Sequence, residues 1–382
     1  MRRICVVIGS RANYSSIKSA MQAIDSHPDL ELQVVVGASA LLDRYGSALD
    51  VIERDGFRAA DRVYMLIEGE TPSTMAKSTG LGLLELPTTF ERLRPDVVLT
   101  VGDRFETMAT ALAATYMNLP LAHTMGGEVS GNIDESIRHA VTKFAHIHFP
   151  ACSEAAERIV RMGEPPESVH LVGCPRIDLV AGVLAEGDGG LEHIFAEGVG
   201  ARFDLSEPFV LVSQHPVTTE YGAGEQQITE TLRAVLDAGL PAIVLWPNAD
   251  AGSEDVARGI RKLREQGLDR GMHFVKNLPA ESYIRLMAKA ACVVGNSSSA
   301  IREGAFIGTP AVNVGTRQAG RQRGPNVVDV EYDRAAIAAA VARQAAVGRF
   351  PSTPIYGDGG AGARIAAVLA TVEVGVQKRM TY

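Results

Sequence analysis

Short apolar runs alternate with longer helical segments along the chain, and this alternation sets the expected fold. Ile4–Ile8, Gln33–Val36, Val97–Val101, Leu119–His123 and Ile147–Pro150 are rich in β-branched or aliphatic residues, with Gly or Pro at or beyond most of their ends. They read as strands of a parallel sheet covered on both faces. Between them, Ser15–Ile24 and Thr107–Tyr116 carry helical spacing. The rhythm restarts with Phe209–Ser213, Ala242–Trp246, His273–Val275, Cys292–Gly295 and Ala311–Val314. A glycine-rich, weakly patterned stretch, Ala181–Gly200, separates the two sets and places a domain boundary near Pro175–Glu207. The expectation is an α/β protein of two Rossmann-like, doubly wound lobes, 1–180 and 181–355. The last segment, 356–382, carries an alanine-rich helix at Gly360–Thr371, which by analogy with other two-lobed α/β proteins returns to the first lobe. Ligands of such folds bind beyond the C-terminal ends of the strands, here in an expected interdomain cleft.

Composition narrows the classes. The 382 residues are 46% hydrophobic and 21% charged, which excludes wholesale disorder. With 37 Lys and Arg against 45 Asp and Glu, the formal charge is −8. That balance argues against a general nucleic-acid binder, so any anion must be held by a local cluster. The four cysteines are far apart and form no CxxC pair, which fits a reduced, cytoplasmic protein rather than a disulfide scaffold or zinc ribbon. The opening Met1–Ile8 is basic and then apolar, but too short for a signal peptide. No run approaches the length of a membrane helix.

The polar residues that follow each strand are the candidates for chemistry. Gly9-Ser10-Arg11-Ala12-Asn13-Tyr14-Ser15 is a strand–turn–helix that lacks the GxGxxG fingerprint. Its Arg11 stands near a helix start that favours anions. Gly102-Asp103-Arg104-Phe105-Glu106 turns at Gly102 and offers Asp103, readable also as a helix cap. The densest stretch is His123–His139, a strand running through Gly126, Gly127 and Glu128 into a helix with the apolar stripe Ile133, Ile137, Val141 and Phe144. Asp134 and Arg138 are four apart and can pair, as can Glu135 and His139. His146 and His148 alternate along a strand. A buried pair fits them better than a metal site, because no acidic or cysteine ligand follows nearby in sequence. In the second half, His215 ends one strand and Asn248 follows another. Ser297, Ser298 and Ser299 open a helix whose amides could converge on an anion. Glu303 lies one to two turns on, placed to accept from a sugar diol. Arg317 and Arg321, four apart, could neutralise a diphosphate. Together these residues suggest a nucleotide-diphosphate ligand. No Walker lysine motif or two-metal site is present, so neither metal nor cofactor is expected.

These residues resemble the UDP-N-acetylglucosamine 2-epimerases. The resemblance rests on GDRFE (Gly102–Glu106), GGEVSGNIDESIRHAVTKFAHIHF (Gly126–Phe149), QHPVTT (Gln214–Thr219), PNADAGS (Pro247–Ser253), the GNSSS…RE run (Gly295–Glu303) and GTRQAGR (Gly315–Arg321). It spans nearly the whole chain and is strongest to the hydrolysing branch that feeds sialic-acid-type sugars. It implies a fold like the B-type glycosyltransferases, a UDP-sugar substrate, no nucleic-acid or membrane partner, and a homodimer or homotetramer. By the same resemblance Asp103 and Asp134 are catalytic carboxylates, Arg11, Ser15, Arg104, His215, Asn248, Ser297, Ser298, Glu303 and Arg317 line the UDP-sugar site, and the backbone near Leu278 reads uracil. Glu128 and His215 are expected to complete the catalytic set, and Arg138, His139, Ser299 and Arg321 the substrate site.

One position departs from the family pattern. Members often carry a catalytic glutamate where this chain has Met125, and methionine exchanges no proton. Glu128 could take the role, Asp103 and Asp134 could suffice, or the chemistry could be altered. The reaction that the resemblance implies needs carboxylates. A base removes the proton at carbon 2 while UDP leaves carbon 1, forming a glycal. Water then adds at carbon 1 as carbon 2 is reprotonated on the other face. The alternatives are a UDP-N,N′-diacetylbacillosamine substrate, a non-hydrolysing epimerase, a glycosyltransferase on the same fold, and a non-catalytic UDP-sugar sensor.

Overall fold

In the computed structural model, residues 1–382 are described apart from Glu70, Asp188, Gly190, Asn248, Ala249, Asn277, Met380 and Tyr382. Two compact units emerge. The first comprises Met1–Val129, Ile133–Leu179 and Tyr356–Tyr382, and the second Ser130–Asn132 and Val180–Ile355.

The first unit is a six-stranded parallel sheet of β1 (Arg2–Ile8), β2 (Leu30–Gly37), β3 (Ala59–Val63), β4 (Val97–Val101), β5 (Leu121–Thr124) and β6 (Ile147–Phe149). Its strand order is β3-β2-β1-β4-β5-β6. The connecting helices are α1 (Arg11–Ser15), α2 (Lys18–Asp25), α3 (Ala48–Arg54), α4 (Pro72–Leu93), α5 (Phe105–Tyr116), α6 (Ile133–Phe144) and α7 (Ser153–Arg161). Strand residues alternate between faces. Cys5 and Val7 join Leu86 and Phe90 of α4, Ala109 and Ala113 of α5, and Val141 of α6 in one core. The segment expected as one helix over Ser15–Ile24 is two, since the chain breaks at Ser16 and Ile17 between α1 and α2.

The chain leaves the first unit within α8 (Pro175–Ala185). The weakly patterned stretch at the expected boundary carries regular structure among its described residues. It forms the end of α8, a 3₁₀ turn over Glu192–Ala196, and β7 (Gly198–Gly200), which pairs antiparallel with a later strand. The rest of the second sheet is parallel: β8 (Val210–Ser213), β9 (Ala242–Leu245), β10 (Met272–Val275), β11 (Cys292–Gly295), β12 (Ala311–Val314) and β13 (Val327–Val330). Its order is β13-β12-β11-β8-β9-β10-β7. Read from β10, the parallel strands repeat the order of the first sheet. Val210 and Val212 face α9 (Gly224–Asp237), α10 (Ser253–Glu265) and α13 (Arg334–Val347). Phe209 and Leu211 face the other way, towards Leu286 and Met287 of α11 (Ala280–Lys289) and Ala300 of α12 (Ser298–Ile307).

The last helix, α14 (Ala361–Thr371), belongs to the first unit and packs along α2. Asp178 of α8 accepts from the Ala361 and Gly362 amides at 3.0 and 2.7 Å, and from the Ser19 hydroxyl at 2.9 Å. It therefore caps the N-terminus of α14. Gly362 permits the close approach, because a Cβ there would stand 2.6 Å from the Ser19 carbonyl.

Candidate functional site

Each sheet reverses its strand order once, between β1 and β4 in the first unit and between β8 and β11 in the second. Crevices at such reversals are where α/β sheets bind ligands. A buried asparagine ties the two strand ends together in each unit. Asn13 Oδ1 accepts from Gly9 N–H at 3.3 Å, and its Nδ2 donates to the Val101 carbonyl at 3.4 Å. Asn296 Oδ1 accepts from His215 N–H at 2.7 Å, and its Nδ2 donates to the His215 carbonyl at 2.9 Å.

In the first unit the crevice leads to a carboxylate set. Gly102 ends β4 with φ +71°, and Asp103 follows, its side chain 22% exposed. Arg138 of α6, 1% exposed, reaches it with Nε at 2.8 Å and also through Nη2. Its Nη1 donates to the Glu128 carbonyl at 2.8 Å. Arg138 thus joins Asp103 to the Gly126–Glu128 loop. Glu128 itself is buried. Asp134 lies half-buried in the first turn of α6. His139 stands 3.6 Å from Glu135, and burial lowers its pKa. Arg104 bonds Glu106 at 2.8 Å and lies 5.8 Å from the Phe105 ring centroid. Gly9 faces Glu106, and any side chain there would collide with it. Arg11 begins α1, and Ser15 closes that helix with its hydroxyl donating to the carbonyls of Arg11 and Ala12.

Met125 occupies a left-handed backbone position, φ +60°. Its sulfur is buried 3.6 Å from the Cys174 thiol. This residue is packing beneath the site, and Glu128, three residues on, is the acidic side chain of this loop.

In the second unit Ser297 caps α12, accepting from Ser299 N–H at 3.4 Å. The Ser297 and Ser299 hydroxyls are 2.8 Å apart, and Ser299 also bonds the Tyr283 hydroxyl. These hydroxyls are thus engaged with one another, while Ser298 is half-buried at the helix start. Glu303 is buried on α12, and Leu278 is buried in the core formed with α11. Arg317 donates to the Asn296 carbonyl at 3.2 Å, and Gln318 donates to the same atom at 2.8 Å. Arg321 is buried nearby in sequence. His215 is buried just past β8, next to Gln214, whose side-chain amide atoms have no hydrogen-bond partner among the described residues. Asn248 lies outside the described residues.

Sequence reading passed over Asn13, Asn296 and Tyr283. The asparagines carried a signal, since each sits just past a strand at a crossover. Tyr283 carried none, because its contact with Ser299 arises only when α11 packs on α12. His148 is buried as expected, whereas His146 lies just before β6 and is half-buried. An acidic partner is present, brought in from outside the local sequence. Glu164, 1% exposed, accepts from His148 at 3.1 Å, from Lys143 at 2.5 Å and from Lys378 at 2.6 Å. Among the described residues no three His, Cys, Asp or Glu side chains are grouped to hold a metal ion. Among them, too, no helix is long and apolar enough to cross a membrane.

Known proteins match this chain closely. A family model described as UDP-N-acetylglucosamine 2-epimerase matches residues 22–370. A UDP-N,N′-diacetylbacillosamine 2-epimerase (hydrolyzing) of Legionella pneumophila is 32% identical over 373 residues, covering 97% of this chain and 96% of that protein. A UDP-N-acetylglucosamine 2-epimerase of Neisseria meningitidis is 30% identical over 359 residues, covering 94% of this chain and 92% of its own. Among solved structures, the Methanocaldococcus jannaschii UDP-GlcNAc 2-epimerase in complex with UDP-GlcNAc and UDP superposes with a TM-score of 0.80 at 15% identity, covering 96% of this chain and 99% of that one. This last likeness establishes the shared two-lobe α/β fold. With the family model matched along most of the chain, and with relatives of similar length at 30% identity and above, the chain belongs to the UDP-N-acetylglucosamine 2-epimerase family.

Proposed function

We propose that the protein is a hydrolysing 2-epimerase of UDP-N-acetylhexosamines, converting UDP-GlcNAc or a close analogue to UDP and the free 2-epimer. The observation that carries the reading is the Asp103 carboxylate, held at the end of β4 by the buried Arg138 beside Glu128. The carbon-2 hydrogen of such a sugar is barely acidic, so inversion without an oxidant runs through elimination. A carboxylate takes the carbon-2 proton, the C–H electrons form the carbon 1–carbon 2 double bond, and the bond from carbon 1 to the diphosphate oxygen breaks towards UDP. Water then adds to carbon 1 and a proton returns to carbon 2 from the opposite face.

Asp103, Glu128 and Asp134 are assigned to the proton transfers, with Glu128 in place of the glutamate found elsewhere in the family at position 125. The α12 amides around Ser297–Ser299, with Arg317, Arg321 and His215, receive the departing diphosphate. A helix start and cationic groups stabilise the charge that develops there. Glu303 is assigned to the ribose hydroxyls and the Leu278 backbone to uracil. Arg11, Ser15, Arg104, His139 and Asn248 are assigned to the remaining contacts. Arg138 serves by holding Asp103.

The hydrolysing assignment is supported by the Legionella relative, whose similarity covers 97% of this chain and 96% of that protein. The same relative favours UDP-N,N′-diacetylbacillosamine as a second donor. A donor screen followed by NMR tests both readings. Free 2-epimer and UDP from either donor support the proposal. A product that stays UDP-linked assigns the chain to the reversible branch. A donor that is bound but stable makes the protein a sensor, or a transferase if an added acceptor restores turnover.

A further inference from the structure

His123 lies inside β5 and is fully buried, where an apolar side chain would be the ordinary choice. Its neighbours on the strand, Leu121 and Ala122, are buried too. A buried imidazole in a sheet needs partners for both ring nitrogens. Nε2 is 2.7 Å from the Gly102 carbonyl. A carbonyl only accepts, so Nε2 carries the hydrogen, and Nδ1 is left as the bare nitrogen of a neutral ring. Nδ1 faces the Thr142 hydroxyl at 3.4 Å. Burial, its largest influence, pushes the ring pKa down to about 4, in keeping with a neutral ring.

The Gly102 carbonyl is the atom that needs this donor. Gly102 N–H makes a rung to the Thr124 carbonyl at 3.3 Å, and the backbone then swings into the left-handed region. Its carbonyl also begins the peptide that carries Asp103, so fixing that oxygen fixes the plane from which Asp103 projects. Arg138 holds the other end, at the carboxylate. Thr142 stands between the two supports: its hydroxyl, whose single hydrogen serves one acceptor at a time, lies within reach of both His123 Nδ1 and the Arg138 carbonyl, the latter 2.9 Å away and one turn back on α6. Gly126 leaves the room for this arrangement. A Cβ there would lie 2.9 Å from His123 Nδ1 and 3.0 Å from Thr142 Oγ1.

We propose that His123 is a positioning residue for the elimination chemistry, acting on Asp103 through the Gly102 carbonyl. The proposal rests on the reading of Asp103 as a catalytic carboxylate. A 1 Å misplacement of a reacting group costs on the order of 100-fold in rate, and that is the size of effect expected.

The test compares His123→Leu, His123→Gln and Gly126→Ala with the wild type. His123→Leu removes the donor. His123→Gln places an amide N–H at similar reach. Gly126→Ala displaces the ring without touching its chemistry. Expected for His123→Leu and Gly126→Ala is a fall in kcat on the order of 100-fold, with KM and the Kd for UDP little changed. His123→Gln restores most of the rate. A His123→Leu or Gly126→Ala protein with wild-type kcat overturns the proposal. So does equal loss in His123→Leu and His123→Gln that tracks a common fall in melting temperature. If His123→Leu does not fold, Gly126→Ala and His123→Gln decide. A readout independent of turnover separates this idea from the functional reading. Long-range 1H–15N correlation of the His123 ring in the wild type should report a neutral Nε2–H tautomer at pH 7. A charged or Nδ1-protonated ring contradicts the proposal whatever the donor, while a wild type that turns over no UDP-sugar overturns only the functional reading.

Discussion

Two glycines close to the carboxylate set make separable demands on the chain. Gly102 and Gly127 both adopt left-handed backbone, φ +71° and +75°. Among the described residues a Cβ at Gly102 would meet only the Met125 methyl, at 3.8 Å, whereas at Gly127 it would run into the Ala155 carbonyl. Gly102→Ala is therefore expected to lose about 1–2 kcal/mol, the backbone cost alone, and Gly127→Ala distinctly more. Urea unfolding of the two variants checks the order, and equal losses would contradict it. Glycine, aspartate and the serine cap were legible in the sequence at this scale, because each follows a strand and changes what the backbone can do. Met125 was legible only as a departure. Its burial against Cys174 depends on a residue 49 positions away, which no local pattern encodes.

Helix α6 is anchored at both ends. Its first half carries Asp134 and Arg138, and at its other end the carbonyls of Thr142, in the last turn, and of Ala145, just past the helix, accept from Lys378. A cation at a helix C-terminus is favoured by the helix dipole. Lys378 and Lys143 also share Glu164 with His148. Burial alone would raise the Glu164 pKa, but hydrogen bonds from His148, Lys143 and Lys378 outweigh it and bring it to about 2. A folded-state pKa below the unfolded value gives stability that is present above the unfolded pKa and lost as pH falls through the folded one. The Glu164 contribution should therefore fade from about pH 4.5 towards 2. That of His123, with its pKa lowered to about 4, should fade from about pH 6.5 towards 4. Urea titrations of wild type and Glu164→Gln should differ in slope below pH 4.5 and run parallel above pH 5. A variant that keeps the wild-type slope below pH 4.5 would contradict this account. At the C-terminal helix, Asp178→Ala removes the acceptor for two α14 amides. It should cost about 1–2 kcal/mol and speed hydrogen exchange at Ala361 and Gly362; unchanged exchange would show that the cap is idle.

Elements buried on both faces, such as β1, β4, β8 and β11, stood out in the sequence as unbroken apolar runs. Strand β3, Ala-Ala-Asp-Arg-Val at the sheet edge, did not, because one side of an edge strand faces solvent and takes polar residues. Strand β7, Gly-Val-Gly, exists through its pairing with β10 rather than through any propensity of its own.

For the molecule as a whole, the restart of the strand–helix rhythm near Phe209 corresponds to a second sheet with the strand order of the first. Both sheets, parallel except at β7, bury their faces under helices, and each has a strand-order reversal, at His215 and Asn296 as well as at Gly9 and Asp103. With a net charge of −8, the proposed binding of a diphosphate is assigned to local groups, the α12 amides with Arg317 and Arg321. In the proposed reaction, carbon 2 of a UDP-N-acetylhexosamine loses its proton and regains one from solvent as UDP is released. Incubation with UDP-GlcNAc, and in parallel with UDP-N,N′-diacetylbacillosamine, in deuterated water measures this directly by NMR. Expected are UDP and a free 2-epimer carrying deuterium at carbon 2 from at least one donor. A free sugar released with its original hydrogen at carbon 2, or with its configuration unchanged, would contradict it.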